Sequence, residues 1–226
     1  MDPFPEQLGV FPLPSVVLFP HAHVPLHVFE PRYRALVGSA LQNDGRLILA
    51  TLKPGYQADY YGCPEVHPLA CAGKIVEHEL FEDGRSDIIV QGERVVEITD
   101  IVAKCPFRVA RFRAAAPEAA IATGCEDRVE ELRTLIERAC PGAYAPLEER
   151  LFRKPEEDGG LELLNTLASG FPVSIEMKLR WLACPESCSR WNEVRRTLLA
   201  LVANRSRRQK LVQRYGDLRP GDPRQN

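Results

Sequence analysis

Long apolar runs are missing from this sequence, and so is every compact catalytic signature. No stretch approaches the roughly 20 apolar residues that a membrane helix needs, so no membrane span is expected. Met1-Asp2-Pro3-Phe4-Pro5 has neither a basic n-region nor an apolar h-region, so no signal peptide is expected either. There is no Gly-x-x-x-x-Gly-Lys-Ser/Thr loop and no Gly-x-Gly-x-x-Gly opening a helix, which removes the usual cradles for ATP and dinucleotides. Ser15 and Ser39 lack the Gly-x-Ser-x-Gly setting of an activated nucleophile. Lys53, Lys74, Lys104, Lys154, Lys178 and Lys210 stand in no recognisable catalytic context. No catalytic residue and no cofactor is therefore expected. Aromatics are scarce at 8% and form no base-stacking cluster, and the net charge is -2, so a nucleic-acid partner is disfavoured.

The cysteines number seven, an odd count without framework spacing. That pattern fits a reducing compartment, the cytoplasm, with thiols buried as small hydrophobes.

What is present suffices for a sizeable core. The chain has 226 residues, 45% hydrophobic and 27% charged, enough for one large domain or two small ones. Its two halves differ in periodicity. Up to Arg113 it reads as β-rich. Leu8–Phe11, Ser15–Phe19 and His23–His27 are short apolar runs cut by Pro12, Pro14, Pro20 and Pro25, which predicts edge strands or extended segments. Arg46–Leu52 and Leu69–Leu80 read as strands. Glu82-Asp83-Gly84-Arg85 is a tight-turn signal, followed by a strand over Asp87–Gln91. After a break at Gly92, strands are expected over Arg94–Val102 and Phe107–Phe112. The single helix of this half starts at Pro31, carries Tyr33, Leu36, Val37, Ala40 and Leu41 on one face, and stops at Asn43-Asp44-Gly45.

The second half is helical. Thr123 and Glu126 form a capping box before Val129, Leu132, Ile136 and Cys140. Leu161, Leu164 and Leu167 mark a short helix ending at Ser169-Gly170. Ser174 caps another, with Leu179 and Leu182 inward. A long last helix begins near Ser187 or Ser189 and runs to Tyr215. Leu147–Gly160 reads as a polar loop. The division predicted is 1–116 for the β-rich part, 117–218 for a helical bundle and 219–226 for a disordered tail.

Two patterns invite a site. His21-x-His23-x-x-x-His27 places histidines on one strand face, but Pro25 intervenes and Glu30 is the only acid near, so a mixture of exposed and packed histidines is preferred to zinc. Cys184-x-x-x-Cys188 has no second pair, so two independent thiols are preferred. The basic run from Arg195 through Arg205, Arg207, Arg208, Lys210, Arg214, Arg219 and Arg224 reads as a solvated helix face rather than a nucleic-acid site.

A longer pattern carries more information. Leu13-Pro14-Ser15-Val16-Val17-Leu18-Phe19-Pro20, then Pro25-Leu26-His27-Val28-Phe29-Glu30-Pro31-Arg32-Tyr33-Arg34, resembles the opening of the Lon protease N-terminal domain. Gly73-Lys74-Ile75-Val76-Glu77, Asp83-Gly84-Arg85 and Ile88-Ile89-Val90-Gln91-Gly92-Glu93-Arg94 resemble that family's later strands, and Glu176–Leu182 its helical part. The resemblance implies an α+β fold: an N-terminal PUA-like pseudo-barrel with one helix, then a C-terminal helical bundle. It implies a stand-alone module without the ATPase and Ser-Lys peptidase parts of Lon, and a partner that is protein. That partner is an unfolded client, or alternatively one dedicated protein docked by an adaptor; PUA-like RNA binding is the third reading. The oligomeric state is left open.

The motif residues Pro20, Pro25, Leu26, Phe29, Glu30, Arg32, Tyr33 and Gly92 are assigned structural roles. Pro20 and Pro25 fix strand ends and block edge pairing. Phe29 and Tyr33 are expected to pack as a staple-like pair. Glu30 favours the helix dipole and can pair with Arg32. Gly92 allows a bulge or a positive φ.

Overall fold

Proline and glycine punctuation sets most element ends. In the computed structural model, residues 4–115, 126–139, 160–184 and 187–215 are described. The strands are β1 (Gln7–Leu13), β2 (His23–Val28), β3 (Arg46–Thr51), β4 (Leu69–Leu80), β5 (Ser86–Ala103) and β6 (Arg108–Ala114). The α-helices are α1 (Pro31–Gln42), α2 (Glu126–Ala139), α3 (Leu161–Gly170), α4 (Ile175–Ala183) and α5 (Ser187–Tyr215), with a 3-10 turn at Tyr56–Asp59. Thr123, Cys140, most of the Leu147–Gly160 loop and the 219–226 tail lie outside the described residues.

The strands form one six-stranded sheet in the order β2-β5-β4-β3-β1-β6, and a further β5–β6 pairing closes it on itself. Only β1 with β3 is parallel, so the sheet is mixed. Closure leaves a narrow interior that side chains must fill. Leu8, Val10, Ile48 and Val96 do so, alternating with Ala50, Ala70, Ala72 and Ala110. The small alanines let strands wrap closely while the branched residues supply the buried apolar volume.

β5 is long enough to serve two neighbourhoods. Its register against β4 shifts between Ala72 and Gly73, whose partners are Arg94 and Gly92. The expected break at Gly92 is thus a bulge inside one continuous strand. Gly92 has no positive φ; its need is for close approach. A Cβ there would lie 2.1 Å from the Phe19 backbone oxygen. The turn at Pro20–His21 presses against it, with His21 N–H donating to Gly92 O at 2.8 Å and Gly92 N–H to Ala22 O at 2.9 Å. His21 takes a left-handed φ of 66° to make that turn. Gly84 does occupy the left-handed region (φ 79°), in the tight turn predicted between β4 and β5.

Several expectations are corrected. Of the two forms expected for Ser15–Phe19, the strand is not the one taken: no strand forms there, and Val17, Leu18 and Phe19 of this segment are buried. Its carbonyls go to side chains instead: Thr51 Oγ1 donates to Val16 O at 2.8 Å and Ser169 Oγ to Val17 O at 3.3 Å. Pro12 does not end β1, which reaches Leu13. The pairing of β1 with β6 stops at Val10, so beyond it one side of the strand needs no ladder donor. Pro25 likewise lies inside β2 and not at its end. In α4, Ser174 caps as expected, accepting from Met177 N–H. Leu179 is only half-buried, and Lys178, Trp181 and Leu182 take the inward positions.

The chain divides into two compact units, Met1–Ala120 with Leu161–Ser187, and Ile121–Gly160 with Cys188–Asn226. Helices α3 and α4 therefore group with the strands, not with α2 and α5. Lys178 of α4 donates to Ser169 O at the end of α3, and burial pushes its pKa below the usual lysine value. In the second unit, Arg195 Nε meets Glu131 Oε1 at 2.7 Å and Arg205 donates to Ala139 O at 3.1 Å. Leu132, Leu135 and Ile136 of α2 and Trp191, Val194 and Leu198 of α5 are among its buried residues.

Candidate protein-binding surface

Past Lys74, β4 pairs only with β5, and the first half of β5 pairs with β2. These segments make a three-stranded tongue whose outer strand, β2, has no neighbour on its far side among the described residues. Strand alternation sends Val28, Ser86 and Ile88 into the interior, where each is buried. The opposite face carries Pro25, His27, Glu77, Glu79, Asp87 and Ile89, in cross-strand rows set by the registers Pro25–Ile89–Glu77 and His27–Asp87–Glu79. A cavity of about 480 Å³ opens among these residues.

His27 is the hub of this face. Its Nδ1 lies 2.5 Å from Asp87 Oδ1. Its ring centroid lies 6.1 Å from that of Phe29 and 6.3 Å from that of Phe81. Phe29 is 58% exposed, and Leu80 at the far end of the tongue is 67% exposed. Large apolar side chains so placed are uncommon on a soluble surface unless something covers them.

The phase of the β2–β5 ladder follows from the Gly92-to-Ala22 bond, which marks their pair as hydrogen-bonded. Two-residue alternation then makes Val24, Leu26 and Val28 bond to β5. The N–H and C=O of His27 and the C=O of Pro25 point outward. Pro25 thus occupies an outward position, where its missing N–H costs no ladder bond but interrupts any long strand added alongside.

The motif residues separate into two sets. Pro25, Leu26 and Phe29 belong to the tongue, Pro25 and Leu26 lining its cavity. The others hold the scaffold. Arg32 Nε donates to Glu30 Oε2 at 2.9 Å, and its guanidinium lies over the Tyr33 and Tyr60 rings. Tyr60 OH also reaches Glu30. Tyr33 is buried and stacks on Phe11 at 4.3 Å. Burial raises its phenol pKa, against the opposing charge of Arg32. Pro20 and Gly92 form the close approach described above.

The expected Phe29–Tyr33 pair does not form. A staple joins the residue before the cap to the fourth helical residue, and with Glu30 as the cap that residue is Arg34. Phe29 is consequently released to the surface. No periodicity in the sequence reveals this; the cap position does.

The other sequence signals dissolve into local roles. Among the described residues, no group of three or more His, Cys, Asp or Glu is placed to hold a metal ion. Cys71 is buried, and burial pushes its thiol up to about 12, but Cys105 is exposed, so the expectation of buried thiols fails there. In α5, Arg195 and Arg196 pair with Glu131 and Glu193. Arg190 is buried, which pushes its guanidinium down to about 10.

Comparison with known proteins assigns the fold. The chain is 24% identical over 183 residues to Lon protease 2 of Syntrophobacter fumaroxidans, covering 81% of this chain and 23% of that protein. It is 23% identical over 182 residues to the Lon protease of Flavobacterium johnsoniae, covering 78% and 22%. It thus spans less than a quarter of the length of these relatives. Among solved structures it resembles a Lon N-terminal domain protein from Xanthomonas campestris, with TM-score 0.58, 18% identity and coverage of 83% and 96%. The N-terminal domain of a Mycobacterium avium complex Lon protease gives TM-score 0.55 at 18% identity, covering 87% and 98%. Residues 7–199 match the substrate-binding domain of ATP-dependent protease La (LON), and the chain belongs to that family.

Proposed function

We propose that the protein binds exposed apolar segments of unfolded proteins on the tongue formed by β2, β4 and β5, and that its role is recognition rather than catalysis. Family membership supports protein binding. The observation that carries the site is Phe29, 58% exposed beside His27 at the end of an unpaired strand edge. Extended peptides bind such edges through main-chain hydrogen bonds while alternate side chains enter neighbouring pockets. Here the outward groups of Pro25 and His27 supply the first, and the cavity at Ile89 supplies the second. We also read the closed ring as a PUA-like pseudo-barrel, supported by the β5–β6 closure, and α2 with α5 as part of a C-terminal helical bundle, supported by the Arg195–Glu131 ion pair.

The test is retention of a reduced, carboxymethylated protein on the immobilised chain. Retention is expected, with loss in Phe29→Ser. No retention of any denatured protein would overturn the reading.

A further inference from the structure

Charges on the sheet are not treated alike. On β5, Glu93 faces Arg46 at 2.6 Å, Glu97 faces Arg113 at 2.6 Å and Asp100 faces Arg111 at 3.9 Å. These carboxylates lie on the ring, and each has an arginine. On the tongue, Glu77 and Glu79 are exposed and have no ion-pair partner among the described residues. They lie two apart, so they share the face of Pro25, His27 and Ile89. Asp87, between them and β2, is engaged by His27. The face beside exposed Phe29 therefore also carries two unneutralised carboxylates.

We propose that the tongue selects extended segments in which Lys or Arg stands next to bulky apolar residues. This rests on the peptide-binding reading of the same surface and names its substrate class. The apolar side chain enters between Pro25, Phe29 and Ile89. The cationic side chain, two residues along on the same face of the added strand, points across β2 and β5 toward Glu77 and Glu79 on β4 and is drawn by their field without touching them. Pro25 limits the main-chain pairing to a short stretch, so side-chain chemistry carries most of the discrimination. Apolar segments flanked by acids meet like charge and are disfavoured. Because the carboxylates are exposed, the preference is screened by salt, whereas apolar contact is not.

The experiment uses the full 226-residue chain and three short fluorescein-labelled peptides of alternating Leu and Ser, flanked by Arg, Gln or Glu, read by fluorescence anisotropy. The Arg-flanked peptide is expected to bind roughly tenfold more tightly than the Glu-flanked one at low salt, attraction of Arg and repulsion of Glu by the carboxylates each contributing a few-fold. High salt should compress that ratio. Glu77→Gln with Glu79→Gln should abolish the ratio, read between the Arg- and Glu-flanked peptides on the variant itself. Equal binding of Arg- and Glu-flanked peptides, or a preference that survives in the double variant, overturns the inference while leaving peptide binding intact. Failure of all three peptides, the neutral one included, overturns peptide binding at this surface and the inference with it.

Discussion

β4 is one strand with two regimes. From Ala70 to Gly73 every residue is buried, with β3 on one side and β5 on the other; from Val76 to Leu80 every residue is exposed, with β5 alone beside it. The first half is packed by alanines and branched residues inside a closed ring. The second carries two glutamates, a histidine and apolar groups facing solvent. Continuity of the backbone makes the buried half the mounting for the other, so the outer face can stay open to solvent without an aqueous edge running through the core.

This division predicts where substitutions act. The largest stability effect belongs to the ring. Ile48, fully buried among Leu8, Val10 and Val96, should cost about 4 kcal/mol when changed to Ala, from lost transfer energy and an unfilled cavity. Urea unfolding measures it. The same experiment on Val76→Ala, in the tongue, should show a change under about 0.5 kcal/mol. Comparable losses at the two positions would erase the distinction between the halves.

Next is the seam. Gly92→Ala forces a methyl onto the Phe19 carbonyl, which is backbone and cannot rotate away. The cost is expected near 3 kcal/mol, since the turn at Pro20–His21 must move and its paired bonds with Gly92 stretch. Gly38 is the counterpart: exposed in α1, with nothing within 4 Å of an added Cβ. Gly38→Ala should stabilise by up to about 1 kcal/mol, read by thermal unfolding.

Much of the ring was legible. Pro31 and Asn43-Asp44-Gly45 bracket α1 because first-turn proline and a polar stop act locally. β3 and β4 were legible from apolar runs of strand length. For Ser15–Phe19 the sequence left strand and extended segment both open, because an apolar run looks alike whether its carbonyls meet a neighbouring strand or the hydroxyls of Thr51 and Ser169, distant in sequence. Leu179 was misread as inward, in place of Lys178, for a related reason. A lysine reads as an outward residue until Ser169 O, at the end of the preceding helix, gives its ammonium a partner inside. Of the binding surface, Pro25, Leu26 and Phe29 were legible only as a family motif, with scaffold roles. That Glu77 and Glu79 stand on the same face as Pro25 depends on the registers of β4 and β2 against β5, which no single-strand pattern contains.

The smallest effect expected is an acid-limited one on the ring's rim. Arg46 donates to Asp44 at 2.8 Å and to Glu93 at 2.6 Å. Partial burial alone would raise the Asp44 carboxyl, but hydrogen bonds from the Arg46 side chain and backbone, with its charge, outweigh burial and hold the pKa below 3.8. A carboxyl whose folded pKa is depressed binds its proton more weakly folded than unfolded. Its contribution to stability is therefore complete above the unfolded value and is lost as pH falls through the folded one. Asp44→Asn removes the group. Wild type should exceed the variant in unfolding free energy at neutral pH, and the two curves should converge as pH falls below 3.8. Because Asp44 is partly exposed, the gap should be small and should shrink in high salt. A gap that persists at low pH would mean that the Asp44 side chain acts other than through its charge, fitting the turn before β3 in a way the Asn amide does not. That outcome would tie the rim to turn geometry and set it apart from Glu77 and Glu79 on the tongue, whose charge has no ion-pair partner among the described residues.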